Sequence, residues 1–456
     1  MPKPPRSHPE HSLFVSRQEE LQLLQTHANK SGLLVMLGRR RLGKTSLLKK
    51  FIALNNGIIS QAIEASKEIQ LSLVTEDLSQ KIQLAAKPSS WLELLRLLDA
   101  SGNRFILCLD EFQYLVKSDP SLPSVLQKWL DHENKLGSLV ILAGSSTRMI
   151  REACLEPNAP LYGRARQVIN LAPIDYRYFA EYLALDSKKP KTFALYSLVG
   201  GVPKYWEYLA IIKANRKLAS LSVLNVIEDM LFASSPFMEG ETGRILSDEK
   251  IEGIAPLSVL EALGRGATRP SEIASRLGVP QTQLSKIFDQ LVRAKVLTKE
   301  TPFASPERNN KIVNYKITDP STAAWYTLAS THKSRWGSYD EQQKKAIIDT
   351  YVGHIFEQYV RSSRPGAQRY WNSDLEIDLM YVKGKSLYVG EVKWGKLNLQ
   401  GAKAEALRVR EKVRGVGFSG NYEGVFVEIF DQGFLKGGRE KYREKVVLGK
   451  GTQKER

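Results

Sequence analysis

Residues 38–45 read GRRRLGKT, with two glycines, a lysine and a threonine at the spacing of a phosphate-binding loop. Glycine at 38 and 43 lets the backbone turn tightly, so that its N–H groups can point at phosphate oxygens. Lys44 would reach the β- and γ-phosphates, and the Thr45 hydroxyl would ligate Mg²⁺. The predicted nucleotide-binding residues of this loop are Gly38, Arg39, Arg40, Arg41, Leu42, Gly43, Lys44, Thr45 and Ser46.

Two acidic residues follow a second apolar run, residues 105–109. Asp110 would hold Mg²⁺ through water, and Glu111 would orient or deprotonate the water that attacks the γ-phosphate. The alternative is a buried strand that simply runs out into a solvated acidic turn. The distance from residues 38–45 equals one or two strand–helix–strand crossovers, which favours the catalytic interpretation.

Hydroxyl side chains follow a third apolar run, residues 139–143. Parallel α/β sheets bind ligands at the carboxyl ends of their strands, so Ser145 is interpreted as a sensor of the γ-phosphate. A plain serine/threonine turn that opens the next helix is the other interpretation, and both stay open.

A second set of charged residues occurs in the last third of the chain. Glu357 lies in a helical pattern, Asp378 in a strand pattern over residues 375–382, and Glu391 and Lys393 in another over 387–394. If a two-residue turn at 384–385 closes a hairpin, Asp378 falls directly across from Glu391. Two carboxylates and an ammonium then converge.

Such a constellation fits metal-dependent cleavage of a phosphodiester. Asp378 and Glu391 would hold one or two Mg²⁺ ions, and Lys393 would orient or activate the water and offset charge on the phosphorus. The alternative is a solvated hairpin that carries an ion pair.

The elements that must position these residues indicate an α/β fold. Apolar runs precede each ligand loop, and helical patterns separate them, which predicts a P-loop NTPase parallel sheet. Residues 255–320 predict a winged helix, with helices over 256–263, from 270 to a stop at 278, and over 281–294. Strands over 296–299 and 312–318 would form the wing. Its third helix either reads DNA or only couples other parts of the chain.

Composition narrows the partners and the compartment. The chain has 456 residues, 42% of them hydrophobic, and no stretch long enough to span a membrane. Its two cysteines argue against a disulfide framework and a zinc site, and the polar N-terminus has no apolar signal region, so a cytoplasmic protein is expected. A net charge of +17 points to a polyanionic partner, with DNA expected.

Together these segments resemble the archaeal-type P-loop ATPase family, a branch of the STAND class of NTPases related to AAA+ proteins. The matching segments are FVSRQEELQLL, GRRRLGKTSLL, LDEFQYL, ILAGSS, PLYGRA and GGVPKYW. The resemblance implies ATP and Mg²⁺ as cofactors and Arg164 as the arginine that stabilises the γ-phosphate, with Arg166 an equal alternative. It also implies that Pro203, in a lid motif, packs near the base; an ordinary break between helices is the alternative.

The charged residues of the last third resemble the PD-(D/E)XK nuclease fold, with Glu357 in the place of its helical carboxylate. Archaeal-type ATPases are often followed by such a domain. The resulting domain prediction is a disordered leader (1–11), a P-loop ATPase core (12–174), a helical lid (175–250), a winged helix (251–330) and a nuclease-like domain (331–456). Self-assembly is a further hypothesis, since such ATPases complete their site with a neighbour's arginine.

Overall fold

The computed structural model describes residues 15–145, 147–216, 222–233, 238–305, 312–415 and 422–446. The chain divides into two units. The first is built from Met1–Leu183, Gly201–Ile211 and Gly243–Glu252, and the second from Ala184–Gly200, Ile212–Thr242 and Gly253–Arg456. The predicted lid is therefore shared between the two units, and the predicted leader lies outside the described residues.

A five-stranded parallel sheet forms the centre of the first unit. Its strands are β1 (Gly32–Leu37), β2 (Ile58–Gln61), β3 (Ile106–Asp110), β4 (Leu139–Gly144) and β5 (Ala165–Asn170), in the order β2-β3-β4-β1-β5. Strands β1, β3 and β4 are apolar nearly throughout and fully buried, as expected of parallel strands covered on both faces. The α/β class and the parallel sheet predicted from the sequence are confirmed.

Helices connect these strands and cover both faces of the sheet. They are α1 (Gln18–Gln25), α2 (Lys44–Asn55), α3 (Lys67–Ser79), α4 (Trp91–Ala100), α5 (Phe112–Ser118), α6 (Leu122–His132), α7 (Thr147–Cys154) and α8 (Tyr176–Tyr182). One buried cluster contains Phe51, Leu47 and Leu48, and another contains Trp91, Trp129 and Phe112. Both clusters include residues of β1, β3 and β4, the strands whose ends carry the predicted ligand residues.

Four helices occur in the described parts of residues 190–248, where the sequence predicts a helical lid; their assignment as a lid stays a prediction. The helices are α9 (Pro190–Val199), α10 (Pro203–Arg216), α11 (Val223–Ile227) and α12 (Glu241–Asp248), with a π-helical segment at Glu228–Phe232. Helix α10 begins at a proline, which needs no hydrogen-bond partner in the first turn. Pro203 itself belongs to the first unit.

Three helices and a small antiparallel sheet follow in the second unit. They are α13 (Ile254–Gly264), α14 (Pro270–Leu277), α15 (Gln281–Arg293), β6 (Leu297–Glu300) and β7 (Asn314–Ile317). Gly278 ends α14 in the left-handed conformation that glycine adopts readily, and α15 starts after Pro280. The elements occur where the sequence predicts them, while part of the predicted wing lies outside the described residues. Their assignment as a winged helix stays a prediction.

A mixed five-stranded sheet closes the second unit. After α16 (Pro320–Ala324) come α17 (Glu341–Ser362), β8 (Gln368–Trp371), β9 (Glu376–Lys383), β10 (Ser386–Val392), α18 (Leu399–Gly415), β11 (Gly424–Phe430) and β12 (Tyr442–Val446). The strand order is β12-β11-β10-β9-β8, and only β10 and β11 run parallel. Within the described ranges, no helix is long and apolar enough to cross a membrane.

Candidate functional site

Strand order brings the predicted nucleotide residues to one edge of the parallel sheet. Strand β4 lies between β1 and β3, so the carboxyl ends of all three are adjacent. The loop of residues 38–43 follows β1, and Ser145 follows β4. Asp110 is the last residue of β3, and Glu111 comes directly after it. Parallel sheets bind ligands at such an edge, because the loops there converge.

The two loop glycines are needed for different reasons. Gly43 immediately precedes α2 with a φ of 87°, a left-handed conformation that a side chain would strain. A Cβ on Gly38 would lie 2.9 Å from the Cβ of Leu171, closer than packed carbons allow. The phosphate-access argument made from the sequence did not identify this contact with Leu171.

Lys44 lies inside its own loop with 4% of its surface exposed. Its Nζ donates to the carbonyl oxygens of Gly38, at 2.7 Å, and Arg39, at 3.4 Å. Burial lowers the pKa of the ammonium, while Glu111 and Asp110 act in the opposite direction. The lysine is therefore held where a phosphate chain enclosed by the loop would meet it.

Thr45 and Asp110 join the loop to the end of β3. The Thr45 hydroxyl donates to Asp110 Oδ2 at 2.5 Å, and Asp110 Oδ1 accepts from the backbone N–H of Glu111 at 3.0 Å. Asp110 is fully buried, and burial raises its pKa. A hydroxyl and a carboxylate oxygen in contact are hard donors of the kind that Mg²⁺ prefers, so these residues fit the ion.

Glu111 occupies a left-handed conformation, with φ 54° and ψ 42°, that is rare for a residue with a side chain. Its Oε2 accepts from Gln113 Nε2 at 2.5 Å and from Ser145 Oγ at 3.0 Å, and Gln113 Nε2 lies 3.1 Å from Ser145 Oγ. The structure thus brings together Glu111 and Ser145, both of which the sequence predicts to lie beside the γ-phosphate. The buried Gln113 was missed, although its position two residues after Glu111 is a usable signal.

A cavity of about 200 Å³ opens over the loop. Residues 41–47, Glu111 and Pro203 line it, so the structure brings Pro203 to the same cavity as Lys44. Arg17 also lines it, is buried, and donates to the carbonyl oxygen of Leu42 at 3.0 Å. Arg17 was not singled out from the sequence, because its role depends on a contact 25 residues along the chain.

The loop arginines have separate partners. Arg40 forms an ion pair of 3.4 Å with Asp248, and burial raises the pKa of that carboxyl. The Arg41 guanidinium lies 5.8 Å from the ring centre of Tyr205, a distance typical of a cation–π contact. Arg40 and Arg41 therefore connect the loop to helices α12 and α10.

Arg164 lies at the opposite end of the sheet from the loop. Its guanidinium binds Asp131, with Nη2 2.7 Å from Oδ2. It precedes Ala165, which pairs with Leu33 at the start of β1, whereas the loop follows Leu37. Four residues of strand at about 3.3 Å each keep Arg164 at least about 13 Å from the loop. Arg166 Nε lies near Gly32 at the same end, so neither arginine reaches the nucleotide site of its own chain.

In the second unit, the hairpin of β9 and β10 turns through Gly384 and Lys385, since Lys383 pairs with Ser386. The register runs to Leu379 and Gly390, so Asp378 and Glu391 come next on each strand and face each other. Asp378 Oδ2 accepts from the backbone N–H of Val392 at 2.9 Å. The expected hairpin geometry is present.

Two lysines approach Glu391. Lys393 Nζ lies 2.8 Å from its Oε1, and Lys412 Nζ, from α18, lies 3.2 Å from its Oε2. Lys412 was not identified from the sequence, because α18 returns to the sheet only through tertiary packing. Both oxygens of Glu391 are therefore neutralised by ammonium groups.

Asp378 has the most perturbed carboxyl of this cluster. Burial, together with the nearby charges of Glu357 and Glu391, raises its pKa to about 7. Glu357 on α17 is thus close enough to act on Asp378, and the four predicted residues form one electrostatic cluster. Asp378 and Glu391 supply hard oxygen donors of the kind that Mg²⁺ prefers, so metal binding by these two carboxylates stays a prediction. Across the described residues, however, no group of three or more His, Cys, Asp or Glu side chains is placed to hold a metal.

The sheet and the loop geometry of the first unit are those of a P-loop NTPase fold. Residues 14–209, less than half of the chain, match the family described as "ATPase domain predominantly from Archaea".

Three proteins illustrate the similarity. An uncharacterized protein of Methanocaldococcus jannaschii is 25% identical over 403 residues, which cover 84% of this chain and 88% of that protein. An uncharacterized ATP-binding protein of the same organism is 50% identical over 42 residues, 9% of this chain and 71% of its own length. A Walker-type ATPase of Pyrococcus abyssi is similar in structure, with a TM-score of 0.50 and 20% identity, over 68% of this chain and 95% of that one. This last similarity concerns the fold.

Replacing Lys44 by alanine should weaken ATP binding by about 10- to 100-fold, because hydrogen bonds to charged groups contribute about 1.5–3 kcal/mol. Isothermal titration with ATP and Mg²⁺ measures the change. Lys49→Ala, an exposed position on the same helix, is the matched control and should bind as the parent does. Equal affinity of the Lys44 variant and the parent would remove this lysine from the nucleotide site.

The raised pKa of Asp378 predicts a pH-dependent stability in the absence of divalent metal. A carboxyl whose pKa is raised on folding stabilises the folded state at pH below its unfolded value, near 4, and loses that contribution as the pH rises towards about 7. The thermal midpoint in EDTA should therefore fall as the pH rises from about 4 to about 7 and level off above that. Asp378→Asn should flatten this fall, and Asp374→Asn, at an exposed position, should leave it unchanged.

Proposed function

We propose that the chain is an ATP-hydrolysing switch protein whose nucleotide state controls a DNA-binding, metal-dependent nuclease-like domain at its C-terminal end. The ATPase family match supports the first half of this proposal. The convergence of Asp378, Glu391 and Lys393 on one hairpin carries the second half.

At the nucleotide site, each residue has a separate part in the proposed reaction. Lys44 binds the β- and γ-phosphates, and Thr45 and Asp110 hold Mg²⁺, which neutralises charge on the phosphates when bound. Glu111 orients the attacking water and accepts its proton. Gln113 and Ser145 fix the Glu111 side chain, and Ser145 lies where it can contact the γ-phosphate. Because Arg164 lies at the far end of the sheet, its contribution would come from a neighbouring copy of the chain.

At the hairpin, Asp378 and Glu391 would hold the divalent metal, with Glu357 as a further carboxylate nearby. Lys393 lies 2.8 Å from Glu391, so its ammonium can reach a phosphate oxygen or a water bound there. A metal ion polarises a phosphodiester and lowers the pKa of bound water when present. The residues themselves orient that water and offset the charge that develops on the phosphate. DNA is the proposed substrate, in line with the net charge of +17.

One observation favours a second function, a nucleotide-controlled DNA-binding protein that does not cleave. Lys393 and Lys412 already neutralise both oxygens of Glu391. A carboxylate held by two ammonium groups is a weaker metal ligand than a free one, since the metal must displace them. Binding to DNA without cleavage is then the outcome.

The Glu111→Gln variant should bind ATP as the parent does and hydrolyse it about 10²- to 10⁴-fold more slowly, the usual contribution of a general base. Phosphate release under saturating ATP measures the rate, and titration calorimetry measures binding. Glu76→Gln, at an exposed site on α3, controls for the loss of one charge. Hydrolysis at the parent rate would show that Glu111 is not the base.

Cleavage of single- and double-stranded DNA by the full chain tests the second half of the proposal. With Mg²⁺ or Mn²⁺, with and without ATP, Asp378→Ala, Asp378→Asn and Lys393→Ala should each reduce cleavage by at least about 10²-fold, because the metal and its water lose their ligands. Asp374→Ala and Lys383→Ala, two exposed neighbours, are the matched controls.

The two functions predict different results in that experiment. Cleavage that is lost in the three site variants and kept in both controls supports an ATP-regulated nuclease. Salt-sensitive DNA binding with no cleavage under any metal supports the DNA-binding protein instead. Cleavage that persists in all three site variants would assign it to another part of the chain or to a contaminant.

A further inference from the structure

A cavity of about 640 Å³ lies in the second unit, lined by strands β6 and β7, the end of α17 and the start of β8. Its walls carry five cationic side chains and, among the described residues that line it, one carboxylate, Glu300. The cations are Lys299, Lys316, Arg361, Arg364 and Arg369. None of the predicted metal ligands lines this cavity.

Two of the five cations are neutralised within the protein. Lys316 pairs with Glu300, and Arg369 pairs with both Glu300, at 3.4 Å, and Glu376. Burial still lowers the pKa of Lys316, and Arg361 and Arg369 lower it further. The remaining cations, Lys299, Arg361 and Arg364, form no ion pair with any residue that the structure describes.

Arg361 is the most informative of these three, because its side chain is charged and only 8% exposed. One nitrogen, Nη1, donates to the backbone carbonyl oxygen of Asp378 at 2.8 Å. The nearby carboxylates of Glu300, Glu357 and Asp378 favour its charged form, but none of them forms an ion pair with it. Its planar fork is suited to bind two oxygens of one anion, and an anion in the cavity would give this buried guanidinium a direct partner.

Arg364 is fixed in place beside it. Its guanidinium lies 5.3 Å from the ring centre of Phe430 and 5.5 Å from that of Phe434, and Nη2 donates to Gly438 at 3.0 Å. Contacts of this kind hold an arginine without neutralising it. The cavity therefore presents positive charge from side chains that are already positioned.

We propose that this cavity binds a backbone phosphate of the nucleic-acid strand, next to the phosphodiester that lies at Asp378. The inference rests on the proposed function, since it takes DNA as the ligand of the second unit. Arg361 contacts the cavity and the Asp378 backbone, so a phosphate bound by Arg361 lies near the hairpin carboxylates. Phosphate contacts fix the register of a strand and carry no base specificity. The cavity would thus position the strand for the hairpin.

The test is binding of fluorescent single- and double-stranded oligonucleotides to the full chain in EDTA without nucleotide, followed by anisotropy at several salt concentrations. Arg361→Gln and Lys299→Glu should each weaken affinity by at least about fivefold at low salt. The slope of log affinity against log salt should fall by about 0.7 for single strands, or 0.9 for duplexes, per lost contact. Lys345→Glu, an exposed charge reversal on α17, should bind as the parent does.

Lys299 is exposed, so its variant keeps the test valid if Arg361→Gln fails to fold. Lys286→Glu, on the exposed face of α15, probes the competing surface. If the cavity variants bind as the parent does and Lys286→Glu weakens affinity, the strand contacts α15 and the inference is overturned. If inorganic phosphate raises the thermal midpoint of the parent and not of Arg361→Gln, while oligonucleotide affinity is equal in both, the cavity takes a small anion and the inference is likewise overturned.

The cavity and the nuclease are separate claims, and the binding and cleavage experiments can support one and reject the other. Cavity-dependent binding with no cleavage under any metal supports the cavity and rejects the nuclease. Cleavage that depends on Asp378, with affinity unaffected by Arg361→Gln and Lys299→Glu, supports the nuclease and rejects the cavity.

Discussion

The hydrogen bond from Thr45 to Asp110 joins the phosphate-binding loop to the end of β3, and the nucleotide site depends on this contact. It can form because β4 inserts between β1 and β3, and the three strands end at the same edge. Asp110 is fully buried, so its carboxylate needs donors, and it obtains them from Thr45 and from the backbone of Glu111. Thr45, one of these two donors, and Asp110 itself are the residues that would hold Mg²⁺.

Glu111 adopts a backbone conformation with positive φ directly after β3. A residue with positive φ is retained where the surroundings over-determine it, and such positions concentrate at functional sites. Gln113 and Ser145 hold the carboxylate on the side of β4, 3.0 Å from the serine hydroxyl. In the proposed function, a γ-phosphate that contacts Ser145 would compete for this hydrogen bond and so link the position of Glu111 to the presence of nucleotide.

The second unit is organised by buried charge of both signs. The hairpin places Asp378 opposite Glu391, and burial, followed by the nearby charges of Glu357 and Glu391, raises the pKa of Asp378. Lys393 and Lys412 offset Glu391, and Arg361 holds the backbone of Asp378 from the other side. Unpaired buried charges are unfavourable unless a ligand compensates them. In the proposed function, the carboxylates at the hairpin and the cations in the adjoining cavity would bind the same ligand, a phosphodiester strand with its metal ion.

Local sequence was sufficient for features that depend on neighbouring residues. The loop glycine at position 43, the lysine after it and the helix that follows are encoded within thirteen residues. The class of the first sheet followed from apolar runs separated by helical patterns. The pairing of Asp378 with Glu391 could be counted from the two-residue turn, because strand residues alternate with a period of two. The helices around residues 254–293 were equally predictable from their prolines and glycines.

Tertiary structure decided everything that joins distant segments. Arg164 belongs to a segment that the resemblance links to the γ-phosphate, yet the direction of β5 places it at the far end of the sheet. The contacts of Arg17 and Lys412, and the role of Leu171 behind Gly38, have no periodic signature. The basic cavity around Arg361 arises from two pairs of elements, β6 with β7 and α17 with β8, that are separated along the chain. The sequence by itself determined the chemistry available at each strand end and turn, because those depend on local backbone geometry. Only the packed chain decided which of these groups meet, because charge and burial act through space.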